Sequence, residues 1–330
     1  MSQGEIILLR ELLTHEDDYI SGVKLAKLMG ISRVAVWAQL QKLEKLGYRF
    51  EAVRRRGYQM LATPQQLHAP LIQARLGRLP RQPHLVCLDR VDSTNSEAER
   101  RLAADEPVPL VILAREQTHG RGRRGRPWHS AANGNLYMTF VFRPELEPAR
   151  LQDFTLWMGL NLCELVSNFC RLTPGLKWPN DLYLGGRKAG GMLTEARVDA
   201  DQVRDLVFGL GLNVNSQAAD FPPELRRTAT SLAEAAGETI DLNRLAAAVI
   251  GRIGTAYRDF LDGSYRTRFG ELWARYDILR DRTVTVVQGN HTVRGIANGI
   301  DAEGSLLIRL DSGRMERFRA GEVTLGKDGT

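Results

Sequence analysis

Gly120-Arg121-Gly122-Arg123-Arg124-Gly125-Arg126-Pro127-Trp128 interleaves four arginines with three glycines. Glycine lets a backbone approach a ligand closely. Arginine presents a fixed fork of donors matched to phosphate and carboxylate oxygens. The run reads as a loop that wraps an anion, with a solvated basic loop as the plainer alternative. Gly120, Gly122 and Gly125 also satisfy the dinucleotide fingerprint G-x-G-x-x-G, which requires a helix to open at the glycines. Instead Pro127 and Trp128 follow, then an Asn133-Gly134 turn and a strand-like run over 136–142. No room is left for a crossover helix, so the Rossmann reading is rejected. No Gly-Lys-Ser/Thr ends the loop, so it is not a Walker loop either.

Outward from the loop, residues 110–114 form a continuous apolar run, read as a buried strand that delivers Arg115-Glu116-Gln117. A strand over 84–88 leads to Ser93, Thr94 and Asn95 and then a helix through Ala98 and Leu102. Short polar residues at such a junction suit N-capping, which is compatible with presenting free N–H groups to an anion. An apolar helix is expected over about 151–169. Beyond it lie Lys177-Trp178-Pro179-Asn180-Asp181, a Gly185-Gly186 hairpin step, and Lys188-Ala189-Gly190-Gly191-Met192-Leu193 with Glu195. In a bare hairpin Lys188 is a solvated charge and Asp181 a turn residue, yet the cluster is dense for that. Residues 207–214 read as a buried strand in which Gly209 and Gly211 permit close backbone approach. Residues 215–231, with Pro222-Pro223, read as a mobile loop. A long amphipathic helix over 242–261 and the aromatic pair Trp273 and Tyr276 complete this part.

At the N-terminus Ile6, Ile7, Leu9, Leu12 and Leu13 mark a first helix. Ser21 caps a short helix that stops at Met29-Gly30. Ser32 caps a third, with Val34, Val36, Leu40, Leu43 and Leu46 as its apolar side. This is the form of helix-turn-helix. The exposed face carries Arg33, Trp37, Gln39, Gln41, Lys42 and Lys45, and two short strands flank Arg54-Arg55-Arg56 as a basic wing. The DNA-binding candidates are Ser32, Arg33, Trp37, Gln41, Lys42, Arg54, Arg55 and Arg56. A small helical domain used for protein contacts or as a lid is the alternative. Residues 63–82, with Pro64, Pro70 and Pro80, read as linker plus one short helix near 71–76. From Thr283 the apolar period changes to two, giving a small antiparallel barrel or sheet of about five strands.

Composition bounds the rest. The 330 residues are 25% charged and 43% hydrophobic, ordinary for a globular protein of two or three domains. No apolar run approaches the roughly 18 residues that span a bilayer, and the N-terminus does not resemble a signal peptide. Cys87, Cys163 and Cys170 form no metal-ligand cluster; Cys163 and Cys170, seven apart in an apolar helical stretch, read as core residues, and the set points to a reducing cytoplasm. Net charge is +6, but residues 21–62 hold nine Lys/Arg against Glu44 and Glu51, and the glycine-arginine loop adds four arginines. Two concentrations of positive charge suggest two separate anionic partners.

With Gly-Arg-Gly-Arg-Arg-Gly-Arg-x-Trp (120–128), Lys-Trp-Pro-Asn-Asp (177–181) and Lys-Ala-Gly-Gly-Met-Leu (188–193) in that order, the chain resembles the bacterial bifunctional biotin–protein ligases that also repress the biotin operon. The resemblance covers nearly the whole length. It implies a multi-domain α+β protein: a winged helix-turn-helix domain at 1–62, a linker at 63–82, a mixed α/β, class II synthetase-like ligase domain at 83–277, and an SH3-like β-barrel at 278–330. It implies that biotin and ATP, with Mg²⁺, give biotinyl-5′-AMP and pyrophosphate. A lysine of a carboxylase biotin carrier domain then attacks the mixed anhydride and releases AMP. By position, Ser93, Thr94, Asn95 and Gln117 would bind the ureido end of biotin. Gly120, Arg121, Gly122 and Arg123 would close over biotin and phosphate, and Lys188 would contact the carboxylate. Arg121, Arg124, Arg126, Trp128, Lys177, Asn180 and Asn213 would contact ATP or the adenylate. Arg123 and Lys188 would stabilise the reacting groups, and Asp181 is a candidate for orienting the incoming lysine or a metal. No resident metal is expected.

The same resemblance implies a homodimer on biotinyl-AMP, a palindromic operator and no membrane partner. The alternatives are a ligase whose winged helix no longer regulates, and a biotin-sensing transcription factor with weak ligase activity. Two departures stand out. His119, where some members have a small residue, either tunes loop closure or is a surface side chain. Gly326, followed by Lys327, occupies the position expected for a basic residue.

Overall fold

The computed structural model describes residues 3–77, 82–132 and 134–325; Pro80, Asn133, Gly326 and Lys327, singled out above, lie outside them. Three helices open the fold: α1 (Gln3–Thr14), α2 (Gly22–Met29) and α3 (Arg33–Lys45). Ser21 Oγ accepts from Lys24 N–H and Ser32 Oγ from Ala35 N–H, both at 3.1 Å, satisfying donors that a helix start leaves open. Gly30 ends α2 in the left-handed region. Val36, Leu40 and Leu43 bury the inner side of α3. Val34 and Leu46 do not join them. Val34 is 74% exposed, because a residue two positions from Val36 falls on nearly the opposite face of a 3.6-residue helix. Leu46 is the C-cap, already past the helix. The wing is an antiparallel pair, β1 (Arg49–Val53) and β2 (Gly57–Ala62). Ile20 and Tyr58 exchange two backbone hydrogen bonds of 2.9 Å at its base.

Helix α4 (Ala69–Arg75) follows. Leu71 and Ala74 pack into the N-terminal core while Ile72 and Leu76 pack into the central one. Asn243, fully buried, donates to Pro64 O and Gln66 O and accepts from His68 N–H, fixing the segment between the two cores.

The central part runs β3 (His84–Leu88), α5 (Thr94–Ala103), β4 (Leu110–Ala114), β5 (Leu136–Phe142), α6 (Leu151–Cys170), β6 (Pro174–Lys177), β7 (Asp181–Leu184), β8 (Arg187–Asp199), β9 (Gln202–Leu212), α7 (Leu232–Ala236), α8 (Leu242–Leu261) and α9 (Arg266–Tyr276). Its seven strands lie in the order β3-β4-β5-β9-β8-β7-β6, with only β3 and β4 parallel. Strand β4 is apolar throughout because helices cover both of its faces. Leu110 and Ile112 pack with Ala98 and Leu102 of α5, whereas Val111 and Leu113 join the α6 and α8 side. On β9, Val207 belongs to the α5 face, and Gly209 and Gly211 continue that face beyond α5. Two strand positions without side chains leave a bare patch of sheet there. The hairpin between β7 and β8 turns on Gly185 (φ 54°) and Gly186 (φ 77°), the pair of positive φ values a two-residue turn demands.

The segment 215–231, read as a mobile loop, is pinned at its end. Lys188 N–H donates to Thr228 O (2.8 Å), Thr230 N–H donates to Lys188 O (2.9 Å), and Thr230 and Ser231 are buried.

The last strands are β10 (Thr283–Gln288), β11 (His291–Ile300), β12 (Leu306–Arg309), β13 (Met315–Phe318) and β14 (Glu322–Leu325), antiparallel in the order β13-β12-β11-β10-β14. This corrects the expected SH3-like barrel. Among the described residues β13 and β14 form the two edges and do not pair, so the sheet is open. Period-two alternation counts strands and sets their faces. Closure depends on a ladder between the two edge strands, which no single strand encodes. The inward side chains, including Val284, Val286, Ile308 and Phe318, join the central core, so one face is covered without closure. Trp178 Nε1 donates to Gly304 O at 3.0 Å and ties the central part to this sheet. Among the described residues no helix is long and apolar enough to cross a membrane.

Candidate active site

The bare patch on β9 is the floor of a cleft of about 310 Å³. A Cβ on Gly209 would lie 2.2 Å from Asn95 Oδ1, and one on Gly211 would lie 2.5 Å from Trp128 Cε2. The two glycines therefore make room for the first turn of α5 and for the end of the 120–128 loop. Ser93, Thr94 and Asn95 are buried where α5 begins. Ser93 is the N-cap but makes no side-chain cap bond, so its hydroxyl is not spent on the helix. Gln117 Oε1 accepts from Thr94 N–H (2.8 Å) and Thr94 Oγ1 (3.1 Å), and its Nε2 donates to Ser130 Oγ (2.9 Å). Asn95 Oδ1 accepts from the buried Thr139 hydroxyl (2.7 Å), and its Nδ2 donates to Glu195 Oε2 (2.8 Å). One end of the cleft is thus lined by oriented amides and hydroxyls.

Cations line the other end. Lys188 Nζ pairs with Asp181 Oδ1 at 2.7 Å and stands 5.3 Å from the Trp128 ring centre. Lys177 Nζ stands 5.6 Å from the Tyr183 ring. Burial holds the Lys177 ammonium below its ordinary value, with Asp181 opposing that shift and Lys188 adding to it. Arg123 Nη1 donates to Asn180 Oδ1 (3.2 Å), and Asn180 is fixed against Met192 by bonds of 2.7 and 3.0 Å. Burial, then the neighbouring Arg124, pulls the Arg123 guanidinium down from the usual arginine value. Several partly desolvated cations facing two carboxylates, Asp181 and Glu322, make a site that favours added negative charge.

The glycine-arginine run is closed on itself. Gly122 N–H donates to Arg126 O and Trp128 N–H to Gly120 O, each at 2.8 Å. Arg124 adopts φ 57°, so the loop bends sharply at a non-glycine residue. Arg121 pairs with Glu195 and with Glu99 (3.1 Å), and Arg126 pairs with Glu322 of β14 at 2.6 Å. The open edge of the C-terminal sheet therefore forms one wall of the cleft, through Gly321, Glu322, Val323 and Thr324.

The profile of the Biotin/lipoate A/B protein ligase family matches residues 87–213, that of the HTH domain residues 6–59, and that of the Biotin protein ligase C terminal domain residues 281–326. The Bacillus subtilis bifunctional ligase/repressor BirA is 34% identical, over 94% of this chain and 95% of that one. Its Escherichia coli counterpart is 31% identical, over 93% of each. The chain belongs to the BirA family of bifunctional ligase/repressors. Among solved structures, the Aquifex aeolicus biotin protein ligase in complex with biotin and ATP is 30% identical and superposes with a TM-score of 0.63. That match covers 74% of this chain and 98% of the other.

Of the residues singled out for the ligase site in this BirA-family chain, Ser93, Thr94, Asn95, Gln117, Arg121, Gly122, Arg123, Arg124, Arg126, Trp128, Lys177, Asn180, Asp181 and Lys188 line the cleft. Gly120, buried, fixes the start of the loop. Asn213 is not among the lining residues. Its Nδ2 donates to Thr230 O (3.0 Å), and it serves the 215–231 segment, because a residue two past Gly211 has already left the open part of the sheet. His119 is exposed and its ring bonds Thr118 Oγ1 (3.0 Å), off the cleft among the described residues. Glu322, Ser130 and Thr139, which orient the lining groups, carried no signal in the sequence because their partners are distant along the chain; Glu195, marked with the 188–193 motif, holds Asn95 and Arg121. The residues expected at DNA lie elsewhere. Ser32 is spent as a cap, Arg33, Trp37, Gln41 and Lys42 are exposed on α3, and Arg54, Arg55 and Arg56 form the exposed wing turn. Arg56 stacks over Tyr19 at 4.0 Å.

Proposed function

We propose that the chain is an ATP-dependent biotin–protein ligase acting through biotinyl-5′-AMP and, as a dimer, a biotin-responsive repressor. One observation carries the ligase reading: the Lys188–Asp181 pair and the Arg123–Asn180 contact line the same cleft as the amide-and-hydroxyl end at Thr94, Asn95 and Gln117. A ligand with a neutral hydrogen-bonding head and a carboxylate tail fits that polarity. Ser93, Thr94, Asn95 and Gln117 hold the ureido ring, and Lys188 meets the carboxylate. Arg121, Arg123, Arg124, Arg126, Lys177 and Asn180 hold the phosphates, and Trp128 lies beside the adenine. Bringing a carboxylate onto a triphosphate sets two anions against each other. Fixed cations offset that repulsion and the charge that builds at phosphorus. Orientation and electrostatics suffice, with no covalent enzyme intermediate. Mg²⁺ arrives with ATP as part of the substrate, since Asp181 and Glu322, the cleft carboxylates, are already paired with cations. In the second step Asp181 orients the lysine of a biotin carrier domain.

For repression, ordering of the 120–128 loop over biotinyl-AMP completes a sheet-edge surface. Two chains pair there and set two winged helices on a palindromic operator. The domain division behind this scheme is a winged helix at 1–62, a linker at 63–82, a catalytic part at 83–277 and a C-terminal part from 278. ATP-dependent labelling of a carrier domain with biotin, in competition with lipoate, tests the ligase. The expected outcome is biotin transfer that lipoate does not suppress. DNA affinity measured with and without biotinyl-AMP tests the repressor. Equal, weak binding that salt erases in both states defeats it.

A further inference from the structure

The outward stripe of α3 is not polar along its whole length. At 100° per residue, Val34, Trp37, Ala38, Gln41 and Lys45 share the face opposite the buried Val36, Leu40 and Leu43. Among the described residues Val34 is 74% and Trp37 54% exposed. Exposing a Val and a Trp on adjacent turns forgoes burial that either side chain would gain in a core. Their surroundings name the partner. Arg33, Lys42, Lys24 and Lys27 are exposed on α2 and α3, and Arg54, Arg55 and Arg56 are exposed in the wing. An apolar stripe inside a cationic rim matches one surface in particular: a duplex groove with phosphates at its edges and apolar atoms on its floor. The apolar group on the major-groove floor is the 5-methyl of thymine, and the amide suited to the paired adenine is Asn or Gln. Here the apolar residues occupy the N-terminal half of the helix, the half that reaches base edges, and Gln41 lies one turn on from them.

We infer that Val34, Trp37 and Ala38 read thymine methyl groups in the operator half-site, with Gln41 reading an adjacent adenine. The recognition step is then selective for A·T pairs through apolar contact, while the arginines and lysines supply sequence-independent affinity. This rests on the repressor reading above.

The test uses the full chain with biotin and ATP. Sequences are selected from a random duplex library, and the enriched motif is resynthesised with deoxyuridine replacing each thymidine in turn. That exchange removes one methyl and keeps the base-pairing edge. At one or two positions per half-site, affinity is expected to fall roughly fourfold, the worth of one buried methylene. At those positions V34A or W37A is expected to bind the two duplexes equally. Both side chains are exposed, so these variants keep the fold, and an unchanged amide-exchange pattern across α2, α3 and the wing checks it. A motif whose affinity is untouched by deoxyuridine at every position overturns the inference while leaving repression intact. So does a W37A chain that loses self-association without DNA, which would give the face to a second copy. A library that enriches no motif overturns the repressor reading, and this inference with it.

Discussion

Lys188 Nζ and Asp181 Oδ1 sit 2.7 Å apart on neighbouring strands, with the Trp128 ring beside the amine. Gly191, opposite Asp181 in the β7–β8 ladder, is what lets all three approach. A Cβ there would stand 3.1 Å from the Trp128 ring and 3.4 Å from Lys188 Cε. The pair is charge-balanced before a substrate enters, so an arriving carboxylate must compete with Asp181 for Lys188. On the proposed ligase reading, that competition would free Asp181 for a second amine and so link the first chemical step to the next.

Asp181→Asn separates the two steps. The amide leaves Lys188 cationic, so adenylation should survive with little loss. The transfer step, deprived of a carboxylate to accept or orient the lysine ammonium, should slow on the order of 10²-fold. Single-turnover kinetics with a carrier domain reads both steps, and an enzyme unchanged in both removes the assigned role.

Arg123→Gly should weaken retention of the intermediate rather than its synthesis. Arg123 is half-buried against Asn180, and the neighbouring Lys177 and Lys188 still oppose the phosphate charge. Free biotinyl-AMP should accumulate in solution and label bystander lysines. Intermediate held as tightly as in the parent would move the role to another arginine of the loop.

Alkaline pH should act on Lys177 first. Burial depresses its ammonium below the ordinary 10.5. Its charge, assigned above to the phosphates, is therefore lost at a lower pH than for an exposed lysine. The KM for ATP should rise through that lowered value, and Lys177→Arg should flatten the rise. Unfolding would not mimic this. A lysine whose folded value is depressed favours the neutral form in the fold, so this group adds stability as pH climbs through it.

Gly209→Ala tests the floor. The added methyl would meet Asn95 Oδ1 at 2.2 Å, displacing an amide held by Thr139 and Glu195. Overpacking of this kind costs about 1–3 kcal/mol, and a misplaced binding group costs on the order of 10²-fold in kcat/KM. The KM for biotin should rise far more than that for ATP; equal effects on both would show a general collapse of the cleft.

What could be read from residues alone follows a physical line. Strand β4, Ser21, Ser32 and the Gly185-Gly186 turn are local, encoded by alternation, caps and positive φ, and each is legible in its own few residues. The three motifs of the cleft were legible as motifs. Their convergence depends on the order of seven strands, which alternation does not specify. Val34 is apolar but lies off the buried face, because its two-residue offset from Val36 is more than half a helical turn. The barrel was misjudged because closure is a relation between β13 and β14. Asn213, expected at the adenylate from the family resemblance, has its side-chain amide on Thr230 O.

Gly57→Ala should uncouple the two activities. Gly57 has φ 121°, and a Cβ there would lie 2.1 Å from Ile20 O, inside the bridge that Ile20 forms with Tyr58. A strained φ and a backbone clash together cost about 2–4 kcal/mol. Unlike a flexible side chain, the Ile20 carbonyl can yield only by opening the bridge. The damage should be confined to the wing and the start of α2, because the buried core under the wing is separate from the one beneath the cleft. Operator binding should fall at least tenfold while ATP-dependent biotin transfer stays within about twofold, and amide exchange should rise at Tyr58 before it rises in β8 or β9. Loss of both activities together would mean that the Asn243 and α4 connection passes disorder from the winged helix to the ligase site, and the two halves could not then be treated as separable.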